Sequence, residues 1–132
     1  MLINYINGLQ HIGIPTRSFE STIKFYEALD FEIVFQTTID DGKAQVVFMQ
    51  LYDIVIEIYE VDVSSNRAGA IDHIAIDVED VESLFECMKR KDYKVLNDEI
   101  QYLPFFENGV RFFTIEGPNG EKIEFNQIIT KE

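Results

Sequence analysis

The sequence predicts an α+β protein made of two tandem βαβββ modules that share one core. The first observation is an internal repeat, because residues 9–14 (LQHIGI) recur as residues 71–76 (IDHIAI). The second is that each copy closes on a strand with one glutamate between apolar neighbours, at residues 54–58 (IVIEI) and 121–125 (EKIEF). Self-similarity at this spacing indicates a duplicated unit that begins with a histidine and ends with a glutamate.

The length of the chain limits how the two modules are organised. A chain of 132 residues, of which 46% are hydrophobic, has the size and composition of one folded domain. We therefore expect a single domain over residues 1–132, with modules at about residues 9–61 and 71–128.

The charge balance excludes two classes of partner. Eleven Lys and Arg residues stand against 24 Asp and Glu residues, which gives a net charge of −13. Such a surface repels nucleic acid and anionic membranes, so we expect neither as a partner. We find no signal peptide and no apolar stretch of membrane-spanning length, so a cytoplasmic protein is expected.

The first module follows the order β-α-β-β-β. After the His11 strand, Ser18 is a typical helix N-cap. One apolar helical face follows it, formed by Phe19, Ile23, Tyr26 and Leu29. Three strands complete the module, at residues 31–38, 44–50 and 54–61, with turns at residues 40–42 and 52–53.

The second module repeats this order with an insertion. Asp80 is the expected N-cap, and the buried stripe of the helix is Val81, Leu84, Phe85 and Met88. Strands are expected at residues 93–97, 110–116 and 122–128, with a hairpin turn at residues 117–120 (GPNG). Because the histidines are 73 − 11 = 62 residues apart and the closing glutamates 124 − 57 = 67, the second module has five extra residues, which we place within residues 100–108.

Four polar side chains are predicted to share one side of the sheets. Alternate residues of a strand lie on the same side, so His11 separates from Ile12 and Ile14, and Glu57 separates from its isoleucine neighbours. Any one of these groups alone is best interpreted as a polar residue on a solvated sheet. Two histidines and two glutamates at equivalent positions instead favour a divalent metal site.

Five motifs carry a resemblance to a known family. They are residues 11–14 (HIGI), 25–26 (FY), 56–58 (IEI), 72–75 (DHIA) and 117–125 (GPNGEKIEF). Together they resemble the vicinal oxygen chelate superfamily, which includes glyoxalase I, methylmalonyl-CoA epimerase, extradiol dioxygenases, fosfomycin-resistance enzymes and bleomycin-binding proteins. The resemblance implies a glyoxalase-like fold, in which the modules form a curved mixed-sheet trough with a metal at its base. It implies that the ligands are His11, Glu57, His73 and Glu124.

The order His, Glu, His, Glu is similar to that of bacterial glyoxalase I, the lactoylglutathione lyase. It implies a metal-dependent lyase or isomerase that moves a proton through an enediolate-like intermediate of a 2-oxoaldehyde thiol adduct or a related small molecule. Glu124, with Glu57 opposite, would be the catalytic base. The resemblance favours Ni²⁺ or Co²⁺, while Zn²⁺, Mn²⁺ and Fe²⁺ stay open, and it implies a homodimer. Whether the site lies within one chain or is shared by two chains also stays open.

Two positions depart from the glyoxalase I pattern. Pro15 and Val61 replace the arginine and asparagine that usually bind glutathione, so the thiol and the substrate are left open. Arg111 and Lys122 are the nearest replacement cations in the sequence, but each is best interpreted as a solvated strand residue. The insertion at residues 102–106 (YLPFF) could line the mouth of the pocket, pack on the second helix or form a dimer contact.

Two other functions remain alternatives. One is an epimerase or another metalloenzyme of the same superfamily. The other is a non-catalytic protein that binds a small molecule such as an antibiotic. Members of the latter kind generally lack the metal ligands, whereas all four are present here.

Overall fold

Two mixed β-sheets, each with one α-helix, make up the computed structural model, which describes residues 1–131. The chain divides into two compact units, one at Met1–Ser64 and one that begins at Ser65. The α+β class and the βαβββ order predicted for each module are confirmed. No helix among the described residues has the length and apolar character needed to cross a membrane.

The first unit contains a four-stranded sheet in the order β1-β4-β3-β2. Its elements are a short 3-10 helix at Leu2–Asn4, β1 at Ile12–Thr16, α1 at Phe19–Ala28, β2 at Glu32–Ile39, β3 at Ala44–Leu51 and β4 at Ile54–Glu60. The β1 and β4 strands are parallel, because α1 makes the crossover between the two ends of the sheet, and the other pairs are antiparallel.

The second unit repeats this order around a five-stranded sheet. Its elements are β5 at Ile74–Asp77, α2 at Val81–Arg90, β6 at Lys94–Val95, β7 at Gln101–Leu103, β8 at Val110–Glu116 and β9 at Lys122–Ile128. The β5 and β9 strands are parallel neighbours, and β8 follows β9. Both β6 and β7 pair with the free edge of β8, so together they occupy the place that β2 has in the first unit.

One side of each sheet is buried beneath its helix. In the first unit Ile56 and Ile58 of β4 are almost fully buried, as is Tyr26 of α1. In the second unit Phe113 of β8 is fully buried and its ring lies 5.2 Å from that of Phe85 in α2. Because residues alternate along a strand, the opposite side of each sheet carries the closing glutamate. We call this side the glutamate face.

Three local predictions are corrected by the structure. The strands predicted to contain His11 and His73 begin just after these residues, at Ile12 and Ile74, so both histidines lie in loop ends. In α1, Thr22 is buried in place of Ile23, because its hydroxyl donates to the Ser18 carbonyl at 2.7 Å and is thereby satisfied.

The insertion is also more regular than predicted. It contains β7, and the strand expected at residues 93–97 shrinks to β6, because the edge of β8 is divided between the two strands. Tyr102 lies against Gly109, where an added Cβ would overlap the tyrosine ring. Phe105 and Phe106 are more than half exposed, so they are not buried against α2.

Asp80 caps α2 with a charge-dependent contact. The Ser83 hydroxyl and then the Ser83 backbone N–H hydrogen-bond to its carboxylate and lower the pKa of Asp80 below its ordinary value of 3.8. A lowered pKa in the folded state stabilises the fold above the unfolded pKa, and this contribution is lost as pH falls through the folded value. Asparagine tolerates the left-handed backbone at this position (φ 49°) and still caps a helix, but does not titrate.

We therefore expect Asp80→Asn to be less stable than the wild type at neutral pH, with the difference disappearing as the pH falls below 3.8. Urea unfolding of both proteins across this range measures the difference. A difference that stays constant with pH would contradict the charge-dependent cap.

Candidate functional site

Two of the four predicted ligands, His11 and Glu57, lie together on the glutamate face of the first unit. Gly13 is the partner of Glu57 in the parallel β1–β4 ladder, and His11 precedes it by two residues on the same side. His11 Nε2 lies 3.3 Å from Glu57 Oε1. The burial of Ile56 and Ile58 on the other side keeps Glu57 pointing away from the core.

The second unit contains an equivalent pair. Ala75 is the partner of Glu124 in the parallel β5–β9 ladder, and His73 precedes it by two residues. His73 Nε2 lies 3.5 Å from Glu124 Oε1. The duplicated sequence has thus produced the same His–Glu contact twice, once in each unit.

The other nitrogen of each histidine is held by the preceding residue. His11 Nδ1 is 2.9 Å from Gln10 Oε1, and His73 Nδ1 is 2.9 Å from Asp72 Oδ2. A carboxylate only accepts, so His73 Nδ1 carries the proton and donates it to Asp72, and His11 Nδ1 can donate to the Gln10 amide oxygen in the same way. In a neutral ring Nε2 then has a lone pair, and that lone pair faces a carboxylate oxygen. Two acceptors in this position repel unless a cation, either a proton or a metal ion, lies between them.

This donor set suits a divalent metal. Imidazole nitrogen and carboxylate oxygen are common ligands of first-row transition metals, and ligating histidines usually donate their second N–H to a carboxylate or carbonyl. Gln10 and Asp72 provide such acceptors. Over residues 1–131, neither unit contains a group of three or more His, Cys, Asp or Glu side chains that could hold one metal ion. Each unit thus supplies two of the four predicted ligands.

The second pair has additional support. Asn126 Nδ2 donates to Glu124 Oε2 at 2.9 Å, which leaves Oε1 directed at His73. Lys122 Nζ lies 3.1 Å from Asp72 Oδ1. Hydrogen bonds from His73 and then from Lys122 lower the pKa of Asp72 below its ordinary value of 3.8, which keeps its carboxylate ionised as an acceptor.

Arg111 does not lie on the glutamate face. It shares the other side of β8 with Phe113, and its Nη2 donates to Glu82 Oε1 of α2 at 2.7 Å. Arg111 is therefore not placed to replace a glutathione contact on the glutamate face, because side-chain alternation in β8 directs it to the helix. Lys122 does share a side with Glu124, but Asp72 neutralises it.

The comparison with known families decides the classification. The model of the Glyoxalase/Bleomycin resistance protein/Dioxygenase superfamily matches residues 8–125, nearly the whole chain. The chain belongs to this superfamily. The match includes all four predicted ligands, since Glu124 is the last but one of the matched residues.

Similar proteins match over nearly the whole chain. YwbC of Bacillus subtilis (strain 168), an uncharacterized protein, is 33% identical in an alignment 124 residues long that covers 90% of this chain and 96% of YwbC. The glyoxalase family protein of Enterococcus faecalis has a similar structure, with a TM-score of 0.77 at 19% identity over 92% of this chain and 98% of that chain. The fosfomycin resistance protein FosX of Listeria monocytogenes, in complex with Mn(II) and sulfate, has a TM-score of 0.71 at 17% identity over 94% of both chains. These structural similarities confirm the glyoxalase-like fold.

Several supporting residues of this superfamily member were not predicted from the sequence. Gln10 and Asp72 could have been found, because each directly precedes a histidine in the repeat. Asn126 had a weaker indication, since it lies two residues after Glu124 and hence on the same side of β9. Nothing in the sequence indicates the contact of the Phe48 ring with His11, at 5.4 Å between ring centroids, because this contact depends on the β3–β4 register.

Proposed function

We propose that this protein is a divalent-metal-dependent lyase similar to glyoxalase I, in which His11, Glu57, His73 and Glu124 bind one metal ion. The observation that carries the proposal is the orientation of the two histidines. His73 Nδ1 donates to the Asp72 carboxylate and His11 Nδ1 can donate to Gln10 in the same way, so that each Nε2 presents a lone pair towards a carboxylate oxygen. A bound cation would turn these two repulsive contacts into ligand pairs.

The metal has a defined part in this chemistry. When bound, a divalent ion would act as a Lewis acid that polarises adjacent oxygens of the substrate. Ni²⁺ or Co²⁺ is favoured, and Zn²⁺, Mn²⁺ or Fe²⁺ would also suit two imidazoles and two carboxylates.

The carboxylates would move the proton. In a hemithioacetal of a 2-oxoaldehyde, the carbon bonded to sulfur loses its hydrogen as a proton and the neighbouring carbonyl carbon gains one, while the hydroxyl proton of the first carbon passes to the oxygen of the second. The first carbon is oxidised to a thioester and the second is reduced to an alcohol, so no external oxidant is required. We assign the proton transfer to Glu124 and Glu57, whose Oε1 atoms face the histidines. The Asn126 contact would hold Glu124 in position during this transfer.

Assembly and location complete the proposal. We propose a homodimer, with the four ligands drawn from one chain or from two. Support comes from β2, an edge strand with all eight residues exposed, including apolar Val34 and Ile39. Such an edge invites pairing with another chain. We also propose that the protein acts in the cytoplasm on a small molecule.

Asp72 provides a test of metal binding that does not depend on turnover. We expect Asp72→Ala to weaken metal affinity by about 10- to 100-fold, because His73 would lose the acceptor that orients its ring. Asp72→Asn should lose less, since its amide oxygen can still accept from Nδ1. Competition with a chromophoric chelator measures both affinities.

A matched control separates this effect from bulk charge. Asp53→Ala removes one exposed carboxylate from a turn of the first unit and changes the net charge equally. Its metal affinity should equal that of the wild type. If Asp53→Ala and Asp72→Ala weaken binding to the same extent, Asp72 acts only through the acidic surface and does not orient His73.

Activity is tested with methylglyoxal. The protein is freed of metal, reconstituted with Ni²⁺ or Co²⁺, and assayed for thioester formation with glutathione and with neutral thiols. Metal-dependent turnover with any thiol supports the proposal. Full metal loading without turnover of any adduct would reject the isomerase and leave another reaction of the superfamily. A protein that loads no metal would instead be a binding protein.

A further inference from the structure

Aromatic rings border the His11–Glu57 pair on one side. Phe48 is the partner of Glu57 in the antiparallel β3–β4 ladder, and its ring meets His11 edge-on at 5.4 Å between centroids. Phe35 of β2 is the partner of Phe48, with ring centroids 6.2 Å apart. Phe35 is 58% exposed. Phe35 and Phe48 therefore form an accessible apolar patch, which we call the phenylalanine patch.

The opposite side of the pair is also apolar. A Cβ added at Gly13 would lie 3.5 Å from Cε1 of Tyr59 and 3.8 Å from Oε1 of Glu57. The tyrosine ring and the carboxylate thus both lie next to Gly13, and the missing side chain leaves the carboxylate open. Pro15 is the ladder partner of Tyr59 and adds a further apolar group.

The described strands of the two units offer no unpaired cation. None of the four strands of the first unit, all within the described residues, contains lysine or arginine. The three cations in the strands of the second unit are each paired with a carboxylate. Lys94 pairs with Glu116, Arg111 with Glu82, and Lys122 with Asp72. An anionic substrate group would find no unpaired cation in these strands. It would also be repelled by a chain of net charge −13.

We propose that the phenylalanine patch binds a flat apolar group of an uncharged substrate, so that the preferred adduct is that of an aryl 2-oxoaldehyde with a neutral thiol. Ring–ring contact with Phe48 places the aryl group next to His11 and Glu57. The lack of cations disfavours the two carboxylates of a glutathione adduct. This inference rests on the proposed function, and it names the substrate class of the same site.

The test measures binding rather than turnover. Benzohydroxamic acid and acetohydroxamic acid each present two adjacent oxygens and differ only in that the first carries a phenyl group where the second carries a methyl group. We expect the Ni²⁺-reconstituted wild type to bind the phenyl compound at least about tenfold more tightly. Phe48→Leu should reduce this ratio by about threefold to tenfold. Tyr5→Leu, which alters an exposed aromatic outside the sheets, should leave the ratio unchanged.

A third compound tests the preference for an uncharged substrate. 4-Carboxybenzohydroxamic acid keeps the ring and adds one negative charge, so it should bind more weakly than benzohydroxamic acid. Equal or tighter binding of the charged compound would overturn the uncharged substrate class. Equal affinities for the first two probes, or a ratio unaffected by Phe48→Leu, would overturn the role of the patch.

Failure of the proposed function can be distinguished from failure of the phenylalanine patch by a turnover assay. Phenylglyoxal and methylglyoxal adducts are assayed in parallel. A phenyl preference in hydroxamate binding without turnover of either adduct would reject the isomerase and retain the patch. Turnover of both adducts at equal efficiency, with no phenyl preference in binding, would retain the isomerase and reject the patch.

Discussion

Replacing Glu124 by glutamine should abolish most of the isomerase activity while leaving the fold intact. A glutamine oxygen can still accept from Asn126, so the side chain keeps its place in β9. The amide cannot take a proton, however. We expect kcat to fall by about 10²- to 10⁴-fold, the contribution typical of a general base. Steady-state thioester formation with the fastest adduct measures the loss.

Two further measurements show the origin of that loss. Metal content distinguishes a lost base from a lost ligand, because only the latter lowers occupancy. Glu99→Gln is the matched control, since it removes an exposed carboxylate from a loop of the same unit and should keep full activity. Activity within twofold of the wild type in Glu124→Gln, with metal bound, would remove Glu124 from the proton transfer.

The largest loss of stability is expected at Phe113. Its side chain is fully buried, and its ring lies 5.2 Å from Phe85 of α2 and 5.3 Å from Phe125 of β9. Phe113→Ala removes the ring that joins the helix to the two strands and leaves a cavity. We expect the free energy of unfolding to fall by about 3–5 kcal/mol. Urea unfolding followed by circular dichroism measures the change.

Phe105→Ala is the control for this substitution. Phe105 belongs to the same unit but is 53% exposed, so its removal should change the free energy of unfolding by less than about 0.5 kcal/mol. Similar losses in both variants would show that the 102–106 insertion contributes to the packing of the second unit. A loss below about 1 kcal/mol for Phe113→Ala would contradict its place at the centre of that packing.

The regular helices and strands were predictable because burial of one side imposes a periodic pattern of apolar residues on the sequence. The predicted strands at residues 110–116 and 122–128 agree with β8 and β9, which alternate between buried and half-exposed residues around a hairpin turn. The helix α2 follows its apolar stripe from a capping aspartate. Local periodicity and turn chemistry were enough in these segments.

The irregular part depends on contacts that are distant in sequence. The β7 strand is three residues long and forms because the edge of β8 is free to pair, which its own residues do not indicate. Arg111 was interpreted as a solvated or substrate-binding residue, whereas its direction follows from alternation in β8 together with the position of Glu82 on α2. The phenylalanine patch likewise depends on strand register.

For the candidate site, the sequence predicted residues rather than contacts. The repeat selected His11, Glu57, His73 and Glu124, and the structure pairs them within each unit. The tautomer of each histidine required the positions of the Gln10 and Asp72 oxygens, which only coordinates provide. Their joint occupation by one metal ion stays a prediction.

The most direct measurement of that prediction is the stoichiometry of metal binding. Metal-free wild-type protein is titrated with Ni²⁺ by calorimetry, alongside His11→Ala and His73→Ala. The account predicts one ion per chain in the wild type and loss of tight binding in both variants, because each unit supplies half of the ligands. No binding in the wild type, or two ions per chain of which each variant loses only one, would contradict it.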